Sequence, residues 1–286
     1  MARIFNIELI SRLSPFQKFY LLIIAGFILG PFIPLIIQSF AFRWAWPDLL
    51  PGTWWLEQRD RAMVPLAWDY VLSPYSRVWE ATVNTVLIGS IVTVICLAIC
   101  LPAARVLARE KFRGKSAFEF FLSLPLIVPE AAIGIALLMM FIRLGLAGSY
   151  VGIIIAHLIP TIPYMVRMLT AVYQGLGRDF EEQAMILGAS RWQVLRLVTL
   201  PMLLPGVVAG ALFTFLVSTN IFLLTFFLGQ GQIVTLPTLL FSKIAGGTLD
   251  ASAAGITLIV TLPGIILLII SERFIKEEAF GKGFGN

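Results

Sequence analysis

The chain has 286 residues, of which 59% are hydrophobic and only 13% charged, and its mean hydropathy is +0.92. Soluble domains carry about 25% charged residues, so a single water-soluble globule is excluded, and lipid is the solvent that the surplus apolar surface requires. The net charge of +5 sits at the ends of apolar runs, the pattern of membrane topology and not of a nucleic-acid partner.

A helix crosses the hydrocarbon with about 20 apolar residues. Six segments reach that length, at residues 19–40, 82–106, 118–141, 151–172, 205–228 and 251–270. The expected fold is all-α and polytopic, with six transmembrane helices. Residues 1–18 precede the first span. Its apolar run is too long for a cleaved leader and no small-x-small site follows it, so it reads as a retained helix. Residues 41–81 form a loop holding Trp44, Trp46, Trp54, Trp55, Trp68 and Trp79. Two readings fit that loop, an interfacial aromatic belt or a docking surface for an external partner. Cys96 and Cys100 lie four apart inside the second span and read as small packed residues, with no disulfide or metal spacing.

Lys and Arg set the orientation. One side has Arg3, Arg12 and Lys18, then Arg105, Arg109, Lys111, Arg113 and Lys115, then Arg167, Arg178, Arg191 and Arg196, and finally Arg273, Lys276 and Lys282. The other has only Arg43, Arg59, Arg61, Arg77, Arg143 and Lys243. Both termini, including the tail at 272–286, are therefore expected in the cytoplasm, with the Trp-rich loop outside.

Intramembrane polar residues mark candidate path positions, because they are costly in lipid and face cavities or partners. Glu130 stands beside Pro129 in the third span. It fits a substrate- or gate-lining role, or a buried pair that fixes packing. Ser218, Thr219 and Asn220 cluster in the fifth span and fit either helix–helix glue or the path. His157, the one histidine, reads as a packed hydrogen-bonding residue.

The cytoplasmic loop at 179–201 carries the densest signals. Asp179 with Glu182 reads as an N-terminal capping pair. Glu181 and Glu182 stand in a first turn that the helix dipole favours for acids. Gly188 suits the left-handed stop of that helix. Ser190 with Gln193 reads as the capping box of a second short helix that Pro201 ends. Two short helices hinged at Gly188 fit either an amphipathic connector on lipid headgroups, which would favour basic residues over this acidic first turn, or a rigid knob for a partner's groove.

Glu182-Gln183-Ala184, then Gly188, then nine residues to Val198-Thr199-Leu200-Pro201, resembles the signature loop of ABC-importer permease subunits. The family pattern is Glu-Ala-Ala, three residues, Gly, nine residues, Ile-x-Leu-Pro. Every spacing fits; Gln183 and Val198 are the departures. The resemblance covers about residues 80–271 and implies a type I permease fold, with a five-helix core at 82–271, in a bacterial inner membrane. It implies that Glu181, Glu182, Ala184, Gly188, Ser190 and Pro201 form a coupling loop seated in a cytoplasmic ATPase. Glu182 would pair with a basic ATPase residue and Ala184 would allow close packing. The implied partners are a second permease subunit, two ATPases that bind ATP and Mg, and an external substrate-binding protein. This chain would then hold no cofactor or metal and have no catalytic residues. The segments at 124–130 and 235–241 look like those of spermidine and putrescine permeases; related permeases carry ferric iron, phosphonates or opines.

Gly114-Lys115-Ser116 ends like a nucleotide-binding loop, but Arg109 occupies the place of the first glycine. A self-contained secondary transporter or channel is the alternative. It would need its own coupling-ion site, often in repeat-related broken helices, and no internal repeat is visible.

Overall fold

The computed structural model describes residues 14–44, 47–61, 63, 65–246 and 250–283. Arg3, Arg12 and Trp46 lie outside the described residues, as do the side chains of Arg273, Lys276 and Lys282. The chain divides into two units, Met1–Ser76 with Lys243–Leu258, and Arg77–Ser242 with Ile259–Asn286.

In the first unit, Ser14 and Gln17 form a capping box, with Pro15 opening helix α1 at Pro15–Leu29. That proline costs nothing there, since the first helical N–H has no partner to lose. Helix α2, Phe32–Ser39, follows directly, and Phe16, Phe19, Leu22 and Phe27 along this first span are exposed, as a lipid-facing surface requires. The Trp-rich loop is folded. Strand β1, Ala41–Arg43, pairs antiparallel with β2, Thr53–Trp54, followed by the short helices α3, Trp55–Gln58, and α4, Ala67–Leu72. Trp55 is buried; its Nε1–H donates to Asp69 at 3.3 Å, and Arg59 both pairs with Asp69 at 3.2 Å and lies 5.6 Å over the Trp55 ring. Trp79, by contrast, is exposed.

In the second unit, α5 runs from Val78 to Arg109. It begins four residues before the expected span, where Arg77 and Glu80 pair at 2.7 Å. Ile88, Val92, Cys96, Cys100 and Ala104 are fully buried at every fourth position and join Ile153, Ala156, Leu169 and Tyr173 of α8, Tyr150–Gly175, in one core. The two cysteines are small residues of that seam: the Cys96 Sγ lies 3.3 Å from the Thr161 hydroxyl. Small residues also bring the fifth span close. Gly206 and Gly210 form a Gly-x-x-x-Gly pair facing Val172 and Met165 of α8, and such pairs let membrane helices approach at backbone distance.

The third and fifth spans differ from the expectation of unbroken helices. The third is α6, Lys115–Ile127, and α7, Glu130–Leu144, bent by 95°. Pro129 forces the residue before it out of helical geometry, and Val128 is extended at ψ 132. The fifth starts earlier than expected. Helix α9, Asp179–Ile186, leads through the elbow to α10, Arg191–Val194; a π-turn at Leu195–Thr199 follows, then α11, Leu200–Asn220. Pro201 therefore does not end a helix. The π-turn shifts the hydrogen-bond ladder, and Pro201 falls in the first turn of α11, where its missing N–H is tolerated. After α11 the chain breaks at Ile221 and resumes as α12, Leu223–Gly229. Helix α13, Leu236–Ala245, and α14, Ala251–Gly283, complete the chain.

Among the described residues, four helices are long and apolar enough to cross a membrane, five if the bent pair is one span. The sixth expected span falls on α14, of which Ala251–Leu267 is the apolar part within the described residues. The protein is an all-α, multi-pass membrane protein.

Candidate functional site

The elbow is built from backbone closure and two differently used acids. Arg178, not Asp179, occupies the N-cap position of α9, with helical backbone angles and no side-chain cap. Asp179 is instead the first helical residue, so the Asp179–Glu182 capping pair does not form; both acids still meet the positive end of the helix dipole. At the other end, the Gly188 N–H bonds the Met185 carbonyl and the Ala189 N–H bonds the Ala184 carbonyl, both at 3.0 Å. This double closure is a Schellman motif, which needs a left-handed residue; Gly188 supplies it at φ +89. Ser190 and Gln193 form the reciprocal box, at 3.3 and 2.7 Å.

Glu181 faces inward, its side chain 14% exposed. It accepts from the Thr199 hydroxyl at 2.7 Å and from Arg105 at 3.4 Å, tying α9 to the π-turn and to α5. Glu182 is exposed and has no side-chain hydrogen bond or ion pair among the described residues. Around it Phe180, Met185, Ile186, Leu187 and Trp192 are also exposed, Ile186 and Leu187 by more than four-fifths. Ala184 is half-buried. The elbow is thus rigid within and presents one unpaired carboxylate amid apolar side chains.

The candidate path residues gather where the two broken spans meet. Helices α7 and α12 pack together, and a Cβ at Gly134 would stand 2.7 Å from the Phe227 ring, so that contact is already tight. The Leu224 N–H, freed by the break in the fifth span, donates to Glu130 at 3.4 Å. The Thr225 hydroxyl donates to the Ile221 carbonyl at 3.2 Å. Ser218 bonds His157 at 3.0 Å. Thr219 and Asn220 both bond back to the Leu216 carbonyl, at 3.0 and 2.8 Å, and Asn220 is exposed. Thr225 joins this group from beyond the break, and no local pattern in the sequence marks it. The segment after the break is held further by the Gly148 N–H on the Leu228 carbonyl at 2.7 Å and by Asn84 on the Val234 carbonyl at 2.8 Å.

Apolar helices of spanning length and polar groups gathered at paired helix breaks are the features of a multi-pass membrane protein. The family described as "Binding-protein-dependent transport system inner membrane component" matches residues 100–277, and the chain belongs to it: it is a permease subunit of a type I ABC importer. The chain is 31% identical over 269 residues to the molybdenum transport system permease protein ModB of Mycobacterium tuberculosis, covering 89% of this chain and 93% of that one. It is 29% identical over 278 residues to the putrescine transport system permease protein PotI of Escherichia coli K12, covering 93% and 92%. Its fold resembles that of a bacterial ABC transporter involved in the import of the polysaccharide alginate, with TM-score 0.68, 19% identity, and coverage of 90% and 94%. The methionine transporter MetNI in an inward-facing form gives TM-score 0.56 at 16% identity, over 70% of this chain. The subunit is a transport component and not an enzyme; ATP hydrolysis belongs to a separate subunit.

Proposed function

We propose that this chain forms half of a translocation path for a small polar solute and is driven through the elbow at 179–201. The second half comes from another permease subunit. Two cytoplasmic ATPases hold ATP and Mg, and an external protein delivers the solute. The elbow, both termini and the basic loop at 105–115 lie in the cytoplasm, and the Trp-rich loop lies outside, in line with the Lys and Arg distribution. Exposed, unpaired Glu182 on a rigid, apolar knob is the observation that carries this reading. Glu182 meets a basic ATPase residue, while Glu181, Gly188 and Ser190 keep the elbow stiff enough to transmit a push. Ala184 permits close approach, and Pro201 carries the motion into the fifth span.

Within the membrane, Glu130, Ser218, Thr219 and Asn220 line the path at the two helix breaks, since irregular backbone at membrane depth is tolerated where it borders protein or a water-filled cavity. For the solute, segment resemblance favours a polyamine-like cation, while named relatives handle molybdenum as well as putrescine. Glu130 gives the cation reading less support than its charge suggests, because its carboxylate already accepts the Leu224 N–H.

The elbow reading is tested by cross-linking. Cys96 and Cys100 are buried, so a cysteine placed at Leu187 is the reactive one. In native membranes Leu187→Cys is expected to give a covalent product with the ATPase. A cysteine at Tyr75, which is 80% exposed in the loop assigned to the outside, should give none. Equal products at both positions, or at neither, would remove the basis for the coupling role.

A further inference from the structure

His157 stands beside the break in the fifth span and bonds to both sides of it. It is 1% exposed in the interior of α8. Its Nδ1 lies 3.0 Å from the Ser218 hydroxyl, in α11 before the break, and its Nε2 lies 2.8 Å from the Thr225 hydroxyl, in α12 after it. Each ring nitrogen bonds one hydroxyl, one nitrogen as donor and the other as acceptor, whichever tautomer the ring holds. The Thr225 hydroxyl also lies 3.2 Å from the Ile221 carbonyl. The backbone at His157 is tied in turn: Thr161, one turn on, donates to the His157 main-chain carbonyl at 2.7 Å and contacts the Cys96 thiol at 3.3 Å.

Between Asn220 and Leu223 the helical ladder is interrupted, with Ile221 extended at ψ 114. Rotation at that point would change the separation of Ser218 and Thr225. An imidazole has fixed nitrogen positions, so one ring bonded to both hydroxyls locks the rotation. Glu130 holds the same segment from the third span through the Leu224 N–H.

We infer that His157 is a positioning residue of the path, a strut that sets the angle between α11 and α12 and keeps the break closed at rest. This inference rests on the reading that the breaks line the path. It does not depend on the elbow. Opening requires one of the two hydroxyl bonds to let go while the other holds the ring.

The test uses the complete transporter in proteoliposomes, with a cysteine at Asn220 and a membrane-impermeant maleimide as probe, without ATP or cargo. His157→Leu removes both bonds and leaves the buried Ser218 hydroxyl without its partner, while Thr225 keeps the Ile221 carbonyl, so resting labelling is expected to rise about tenfold. His157→Gln, which can donate and accept, is expected to stay within about threefold of the parent. Ser218→Ala and Thr225→Val should each raise labelling, and their combination should add little, because either change already releases the strut. This non-additivity distinguishes a strut from ordinary packing and remains readable if the leucine variant assembles poorly. Unchanged labelling in an assembled His157→Leu transporter, or simple additivity of the Ser218 and Thr225 effects, would overturn the inference. A parent cysteine that stays unlabelled both at rest and during ATP turnover would overturn the path reading and the strut with it.

Discussion

Lysine in place of Glu182 is expected to reduce solute uptake by about 30-fold or more while the subunit still inserts and stays folded. Removing one partner of a buried charge pair at an interface costs about 2–5 kcal/mol, and each 1.36 kcal/mol is a factor of about ten. Charge reversal places two cations together and adds repulsion. Within the chain this side chain contributes only its favourable place in the first turn of α9, about 0.3–1 kcal/mol, since Glu182 makes no side-chain bond or ion pair among the described residues. The loss should therefore appear as ATP hydrolysis that no longer follows solute delivery, with normal amounts of subunit in the membrane. Glu181→Lys should act differently. It breaks the bonds to Thr199 and Arg105 and loosens the elbow itself, so reduced thermal stability should accompany the lost uptake. Valine at Gly188 should also uncouple uptake, by straining the elbow as Glu181→Lys does. No atom lies within 4 Å of a Cβ there, but the backbone sits at φ +89, which a β-branched residue strongly resists. Normal coupled uptake in both Glu182→Lys and Gly188→Val would contradict the role given to the elbow.

The second large effect is expected at Gly206. A Cβ built there falls within 3.0 Å of three atoms of Val172. Valine is stiff about χ1 and cannot swing aside, so the helices must part. Overpacking of this kind costs about 1–3 kcal/mol, and it falls on the close contact of α11 with α8. Gly206→Leu is expected to lower the melting temperature of the purified complex by several degrees and to reduce assembled transporter. Val172→Ala makes room and should recover part of the loss when combined with Gly206→Ala. A Gly206→Leu complex with unaltered melting would mean that the two helices are not in close contact in the assembly.

These contacts show where the sequence is a sufficient guide and where it is not. Gly188, Ser190 and Gln193 form local bonds within a few residues, so their chemistry was readable in order along the chain. The same is true of Pro129, whose ring restricts its own neighbour, although the 95° turn it permits depends on what α7 packs against. The break at Ile221 has no such mark. Asn220, Ile221 and Phe222 include neither proline nor glycine, and the interruption is stabilised from other spans by Glu130 and His157. Pro201 misled for a related reason. A proline ordinarily marks a helix boundary, but a π-turn upstream absorbed its missing donor and kept the chain helical. Asp179 is the first residue of α9 and not its cap because Arg178, with helical backbone angles, takes the N-cap place. The Trp-rich loop depends on pairings between distant residues, such as Trp55 with Asp69, that no local pattern announces.

The central claim is that this subunit moves its solute only when an ATPase drives the elbow. Its most direct test is uptake of radiolabelled molybdate and putrescine into proteoliposomes that contain the external binding protein and both permease subunits. Uptake should require the ATPase and ATP, and should be lost with Glu182→Lys while the protein content stays equal. Sustained uptake of either solute by this chain alone, without ATPase or nucleotide, would contradict the account and make it a self-contained transporter or channel.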